Sequence, residues 1–105
     1  MKPIVLKIDS SHSESTVVQI VVSGKTLERR APMGAMRAQA ILPLISELLT
    51  EQQISLTDIT AIEVFPGPGS YTGLRVGFAI GNMLSTLLGI PMNGNTLPKL
   101  PTYTL

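Results

Sequence analysis

The sequence contains no cysteine and no tryptophan, and only four of its 105 residues, two Phe and two Tyr, are aromatic. The absence of cysteine excludes disulfides and thiolate zinc sites, and it suits a reducing cytoplasm. Eight lysines and arginines against seven aspartates and glutamates give a net charge of +1, with no basic run. Because there is little positive charge and few rings to stack on bases, we expect no autonomous binding of nucleic acid.

Long hydrophobic runs are also missing. The longest apolar stretch, residues 76–88, is interrupted by Asn82 and is too short to span a bilayer. Asp9 ends the apolar run near the N-terminus after a few residues, so that run is not typical of a signal peptide. The chain has room for one domain. We expect a cytoplasmic protein with no membrane partner.

The most informative stretch is residues 64–77, VFPGPGSYTGLRVG. It follows an apolar, β-branched run at 59–65, and Pro66 keeps the residue before it extended. Gly67 and Gly69 can take the positive φ values that a sharp reversal requires. The pattern predicts a strand, a rigid turn and the start of a helix.

That helix is predicted to be capped by Ser70 or Thr72 and to run through Leu88, where Gly89 ends it. Its first N–H groups would then be exposed beside the glycine loop. A helix start of this kind is able to bind an anion.

Three strands are predicted before this joint, at residues 4–8, 16–22 and 25–30. The second and third would form a hairpin, with the third as an edge strand because it carries two arginines. A helix is predicted from about Met36 to Gln52, in which Pro43 would introduce a kink or mark the start of the regular part.

Two shorter features complete the predicted order. Residues 55–58 have capping-box spacing and predict a single helical turn, and residues 90–93 predict a short fifth strand. The order is therefore β-β-β-α-β-α-β, an antiparallel start followed by β-α-β crossovers.

Residues 67–75, GPGSYTGLR, resemble the signature of the TsaB (YeaZ-like) family, whose members usually have Phe where Tyr71 stands. This family belongs to the sugar kinase/Hsp70/actin superfamily, and the resemblance covers residues from about Ile4 to Leu97. It implies an α/β fold of the ribonuclease-H-like (actin-like ATPase) class, with a mixed sheet and helices. We assign this domain to residues 1–97 and a Pro-containing C-terminal tail to residues 98–105.

The resemblance also implies a function, which is the making of threonylcarbamoyladenosine beside the anticodon of tRNAs. Members of the family are usually longer and have a second domain of the same class. The chain is therefore either a fragment or a compact form that dispenses with the second half.

In the resembled family, the first two helices pack against the same helices of a catalytic paralogue, the TsaD family. The resemblance implies a non-catalytic scaffold subunit that binds a TsaD-like enzyme or forms a homodimer in its absence. Other tRNA-modification subunits are further partners. It implies no catalytic residues, no metal ligands and no cofactor. The predicted interface consists of Ile41, Ile45, Leu48, Leu49, Gly73, Gly77, Phe78, Gly81, Leu84, Ser85 and Leu88.

The second helix also indicates an interface without the family. Gly73, Gly77, Gly81, Ser85 and Gly89 recur every four residues and define a glycine ridge. Each interior Gly costs about 1 kcal/mol relative to Ala, so close backbone approach is expected to compensate. We expect a partner helix from another chain on the glycine ridge. The alternative is that the first helix and the tail cover it within the monomer.

Two other classes of function stay open. One is a self-associating homodimer module that has drifted from tRNA modification, and it would dimerise through the glycine ridge yet ignore any TsaD-like enzyme. The other is a minimal ATP- or phosphate-binding enzyme of the actin-like class, with ATP as its ligand. In active superfamily members, a carboxylate at the position of Asp9 lies near metal or phosphate, although Asp9 more simply caps its turn. His12 is expected to be an exposed turn residue. Arg75 is predicted to lie in the first turn of this helix, where a cation opposes the helix dipole and requires an anion or carboxylate nearby. The candidate phosphate-binding residues are Asp9, Ser10, Ser11, Gly67, Gly69, Ser70, Thr72 and Arg75.

Overall fold

The computed structural model describes residues 2–12, 15–32, 37–69 and 71–94. The strands are β1 (Ile4–Asp9), β2 (Ser15–Val22), β3 (Lys25–Pro32) and β4 (Ala61–Val64). The helices are α1 (Arg37–Glu51) and α2 (Tyr71–Leu88), and a single 3₁₀ turn, Leu56–Asp58, lies between α1 and β4. This order confirms the predicted α/β class. The predicted tail at residues 98–105 lies outside the described residues.

The sheet is mixed, with the strand order β3-β2-β1-β4. β2 pairs antiparallel with β1 and β3, and β4 pairs parallel with β1. β2 and β3 form the predicted hairpin through a turn at Ser23 and Gly24, both of which have positive φ. The pairing of β4 with β1 continues beyond the strand bounds, because the Phe65 N–H donates to the Ile8 carbonyl oxygen at 2.9 Å and Thr60 pairs with Ile4.

The core lies between one face of this sheet and the two helices. Strand residues alternate in burial, and the register places the buried ones side by side on that face: Leu6, Ile8, Val18, Ile20, Ile62 and Val64. α1 packs against β2 and β3, and α2 packs against β4 and β1. Both helices therefore bury apolar residues at helical spacing against one layer of strands.

Three details differ from the sequence predictions. α1 begins at Arg37 and continues through Pro43, so Pro43 does not mark the start of the regular helix. The predicted fifth strand is reduced to one parallel bridge between Ile62 and Met92. Thr72 is the second residue of α2 and is therefore not its cap, while Ser70, the other predicted cap, lies outside the described residues.

The end of α2 and the start of the 3₁₀ turn both follow the predicted chemistry. Gly89 has φ +65 and the Ile90 N–H donates to the Ser85 carbonyl oxygen at 3.1 Å, which closes the last turn of α2. The capping-box turn forms as predicted, because the Ser55 N–H donates to the Asp58 carboxylate at 2.9 Å.

Candidate functional site

The loop after β1 is held by its own aspartate. One carboxylate oxygen of Asp9 accepts hydrogen bonds from the Ser11 N–H at 3.0 Å and from the Ser11 hydroxyl at 2.6 Å. The other oxygen lies 3.8 Å from Nε2 of His12, an exposed side chain. These contacts are those of an aspartate that closes a turn through local hydrogen bonds. They give Asp9 a structural role in this loop.

Ser10 connects the β1 loop to the start of α2. Its side chain is buried, and its hydroxyl donates to the Gly73 carbonyl oxygen at 2.6 Å. Gly69 lies against the same loop, because a Cβ added there would be 2.7 Å from the Ser11 Cβ. The glycine at 69 is thus required by close approach rather than by positive φ, which the structure assigns to Gly67 (φ +101).

The structure therefore brings together part of the predicted phosphate set, namely Asp9, Ser10, Ser11 and Gly69. Asp9 and Gly69 both contact Ser11, and Ser10 binds Gly73. Thr72 and Arg75 are exposed on α2. Arg75 is the fifth residue of the helix, so it lies past the first turn in which sequence reasoning placed it.

A groove of about 710 Å³ runs beside this loop, over the carboxyl ends of β1 and β4. Of the predicted phosphate residues, Asp9 lines it. Lys7 and Arg30 also line the groove, and each has a carboxylate close by. Lys7 lies 3.7 Å from Glu63, and Arg30 lies 3.5 Å from Glu28. A phosphate entering the groove would compete with these pairs for the two cations.

The predicted interface residues face the core of this chain. Ten of the eleven are buried: Ile41, Ile45, Leu48, Leu49, Gly73, Gly77, Phe78, Gly81, Leu84 and Ser85. The eleventh, Leu88, is half-buried. A side chain already packed in the monomer core is not available to a second protein. The predicted interface residues therefore lie on the inner faces of the two helices in this chain, and their assignment to a partner stays a prediction.

Gly77 and Gly81 of the glycine ridge have the same orientation, and the reason is steric. A Cβ on Gly77 would be 2.3 Å from the Ser10 hydroxyl oxygen, and a Cβ on Gly81 would be 2.5 Å from Cγ2 of Val64. Close backbone approach does compensate for these glycines, as predicted, but the chain's own sheet and β1 loop make that approach. At Gly77 and Gly81, residues of the chain itself therefore occupy the space that a partner helix is predicted to fill.

Sequence reasoning missed the outer face of the helices. Ala79, Met83 and Leu87 follow one another at four-residue spacing along α2 and are all exposed, Met83 by 44% and Leu87 by 73%. Leu42 on α1 is 45% exposed. We call Leu42, Ala79, Met83 and Leu87 the outer apolar set. Its signal in the sequence is the 79, 83, 87 spacing on the side of α2 away from the glycines.

Two features of the described part of the chain bear on ligands and membranes. Among residues 2–12, 15–32, 37–69 and 71–94, no three His, Cys, Asp or Glu side chains are grouped so that they could hold a metal ion. Neither α1 nor α2, the two helices described, is long and apolar enough to cross a membrane.

The fold class follows from this geometry and from a solved structure. YeaZ from Pseudomonas aeruginosa superimposes with a TM-score of 0.80 at 29% sequence identity, over 86% of this chain and 42% of that one. The chain therefore has the actin-like, ribonuclease-H-like fold. A family model described as TsaD, tRNA N6-adenosine threonylcarbamoyltransferase, matches residues 30–95, which is more than half of the chain. The chain belongs to this family.

Its relatives confirm the TsaB (YeaZ-like) resemblance. The tRNA threonylcarbamoyladenosine biosynthesis protein TsaB of Escherichia coli is 45% identical over 53% of this chain and 24% of its own length. The protein of the same name from Haemophilus influenzae is 30% identical over 95% of this chain and 39% of its own length. This chain thus spans well under half of the relatives that it matches.

Proposed function

We propose that the chain is a non-catalytic subunit of the machinery that makes threonylcarbamoyladenosine on tRNA. It supports a TsaD-like enzyme by docking onto it with the outer faces of α1 and α2. The family membership and the names of the relatives support the pathway. The proposal puts the chain in the cytoplasm, where tRNA is modified, and assigns it no cofactor.

The observation that carries the docking step is the outer apolar set. A helix on one side of a sheet is expected to present polar residues to water. α2 does present Thr72, Arg75 and Thr86. It also exposes Ala79, Met83 and Leu87 in one row, with Leu42 exposed on α1. Rows of exposed large apolar side chains are typical of protein interfaces. Burying a leucine or methionine side chain fully contributes about 1.5–3 kcal/mol, so this set would contribute substantially to an association.

The contacts within the loop after β1 favour a non-catalytic role for this chain. A carboxylate that acts on phosphate or metal must present its oxygens to the ligand. In Asp9, one oxygen already accepts two hydrogen bonds from Ser11. The serines of the loop are buried, with the Ser10 hydroxyl bound to Gly73. The loop thus serves to fix β1 against α2.

The test is the molar mass by light scattering after gel filtration, for the chain alone and mixed with a TsaD-like enzyme. We expect a stable mixed complex, and we expect Leu87→Asp to abolish it while the circular dichroism spectrum is unchanged. Leu56→Asp is the matched control, because Leu56 is an exposed leucine of the 3₁₀ turn. It should leave the complex intact.

Other outcomes contradict the proposal in distinct ways. A homodimer that ignores the enzyme and is lost in Leu87→Asp would replace it with a self-associating module. A monomer both alone and in the mixture would mean that the outer apolar set mediates no association. A complex that survives Leu87→Asp would place the interface elsewhere on the chain.

A further inference from the structure

The edge of the sheet at β4 is completed by a short segment after α2. The Ile62 N–H donates to the Pro91 carbonyl oxygen at 2.9 Å, and the Asn93 N–H donates to the Ile62 carbonyl oxygen at 2.8 Å. At Val64 the Asn93 side-chain amide replaces the backbone. Its oxygen accepts from the Val64 N–H at 2.8 Å, and its NH₂ group donates to the Val64 carbonyl oxygen at 3.0 Å. We call these last two hydrogen bonds the Asn93–Val64 contact.

The residue that follows Asn93 makes its amide chemically vulnerable. In an Asn-Gly sequence, the glycine nitrogen attacks the side-chain Cγ, because glycine has no side chain to hinder it and its backbone is freer than that of other residues. At Gly94, a Cβ would meet no described atom within 4 Å. The backbone of this turn is therefore open to the reaction at a position where only the hydrogen bonds of Asn93 oppose it.

The reaction needs no reagent other than water. A bond forms between the Gly94 nitrogen and Cγ of Asn93, and the bond from Cγ to the side-chain nitrogen breaks. The proton of the attacking nitrogen leaves with that nitrogen as ammonia, and a cyclic imide remains. Water then opens the imide at either carbonyl carbon, which gives an aspartate or an isoaspartate at position 93. No electrons are transferred to an outside group.

The folded chain holds Asn93 away from this reaction. The amide must turn so that Cγ faces the Gly94 nitrogen, and it cannot turn while its oxygen and its NH₂ group are both bound to Val64. Asn93 and Gly94 are also held in a turn, with φ +50 and +82. Deamidation therefore requires that the Asn93–Val64 contact opens first, as a local opening at the edge of the sheet.

The product cannot restore the contact. A carboxylate accepts hydrogen bonds but donates none, so the Val64 carbonyl oxygen loses its donor and faces a second acceptor. The new charge also enters the groove that Asn93 lines, where three carboxylates already outnumber two cations: Asp9, Glu28 and Glu63 against Lys7 and Arg30. Each opening that reacts is thus converted into a permanent loosening of the sheet edge.

We propose that Asn93–Gly94 is a deamidation site that is gated by the Asn93–Val64 contact. The test is peptide mass spectrometry after incubation in mildly alkaline buffer, with and without enough urea to unfold the chain. Deamidation at Asn93 is expected to be about tenfold slower in the folded chain than in urea, because two hydrogen bonds must open first. Equal rates would overturn the gate.

Two controls in urea test the chemistry itself. Asn82, which is followed by Met83, is the internal control and should react more slowly than Asn93. Gly94→Ala should also slow the reaction at Asn93, because its methyl group hinders the attacking nitrogen. An Asn93 that reacts no faster than Asn82 in urea would remove the site. An unchanged rate in Gly94→Ala would mean that the amide is hydrolysed directly and that no cyclic imide forms.

The gate is tested in the folded chain by a substitution that presses on Val64. A Cβ on Gly81 would lie 2.5 Å from Cγ2 of Val64 and 2.7 Å from the Met92 sulfur. Gly81→Ala should therefore speed deamidation about fivefold by loosening the Asn93–Val64 contact. Ala79→Gly, on the exposed side of α2, is the matched control and should leave the rate unchanged. Equal acceleration in both variants would mean that global unfolding controls the reaction.

The product has its own readout. The deamidated chain carries one more negative charge, so ion exchange separates it from the unreacted chain. Both the separated product and Asn93→Asp are expected to unfold at lower urea concentrations than the unchanged chain, because the Val64 carbonyl oxygen has lost its donor. Unchanged unfolding midpoints in both would contradict the inferred loosening of the sheet edge.

Discussion

The Ser10 hydroxyl donates a hydrogen bond of 2.6 Å to the Gly73 carbonyl oxygen, and it thereby ties the loop after β1 to the first turn of α2. The same hydroxyl oxygen would lie 2.3 Å from a Cβ on Gly77, one helical turn further along. A serine and a glycine thus share a space that two larger residues could not occupy. This contact sets how closely α2 approaches the end of the central strand.

Stability measurements on Ser10 and Gly77 would show whether the two residues depend on each other. Alone, Gly77→Ala is expected to destabilise the fold by about 1–3 kcal/mol, because the methyl group overlaps the Ser10 hydroxyl. In a Ser10→Ala background that overlap is gone, and the helix propensity of alanine, up to about 1 kcal/mol, should bring the effect of Gly77→Ala to zero or to stabilisation. Urea unfolding followed by circular dichroism measures the free energies of unfolding of the unchanged chain, the two single variants and the double variant.

Ser10→Ala itself supplies the reference for that cycle. Losing the hydrogen bond to Gly73 is expected to cost about 0.5–1.5 kcal/mol. If the effects of Ser10→Ala and Gly77→Ala simply add, the two side chains do not compete for one space, and the contact is not what selects glycine at 77.

Gly81 gives a second, independent view of the glycine ridge. A Cβ there would be 2.5 Å from Cγ2 of Val64 and 2.7 Å from the Met92 sulfur, so Gly81→Ala should destabilise by about 1–3 kcal/mol. Ala79→Gly, on the exposed side of α2, is the matched control and should also destabilise, by about 1 kcal/mol, through helix propensity alone. Thermal unfolding of both variants is the measurement. A stabilised Gly81→Ala would mean that α2 lies farther from the sheet than described.

The order of elements could be predicted because each one has a local cause in the sequence. β1 and β2 are apolar runs of strand length, and the glycine and proline residues between β4 and α2 fix the turn. The length of the fifth strand, which is reduced to one bridge at Met92, could not be predicted from the sequence. The Asn93 side chain, rather than more backbone, completes the pairing with Val64, and no local pattern predicts that exchange.

The site was harder to predict because periodicity shows that a helix has two faces but not which one meets the sheet. Glycines every four residues fit close approach by any backbone, whether of the same chain or of a partner. Only the packing of α2 on β1 and β4 shows that Gly77 meets Ser10 and that Gly81 meets Val64. The row Ala79, Met83 and Leu87 then becomes the outer face by elimination.

The two faces of α2 should respond differently to truncation of a leucine. Leu84 is 4% exposed and packs in the core, so Leu84→Ala is expected to cost about 2–5 kcal/mol of unfolding free energy. Leu87 is 73% exposed, so Leu87→Ala should change stability by less than about 0.5 kcal/mol. Urea unfolding of the isolated chain at low concentration measures both. Equal losses would mean that Leu87 is already covered in solution, for example by a second copy.

Asn93 is expected to stabilise the edge of the sheet through its side chain. Its amide accepts from the Val64 N–H and donates to the Val64 carbonyl oxygen, as the backbone of a fifth strand would. Asn93→Gly tolerates the positive φ of 50 and removes only these two bonds, so it should cost about 1–3 kcal/mol. Gln53→Gly, an exposed residue with φ 56, is the matched control and should have little effect. Hydrogen exchange should also speed up at the Val64 amide in Asn93→Gly. An unchanged exchange rate there would mean that water or another backbone group replaces the amide without cost, and that Asn93 is selected for its backbone conformation alone.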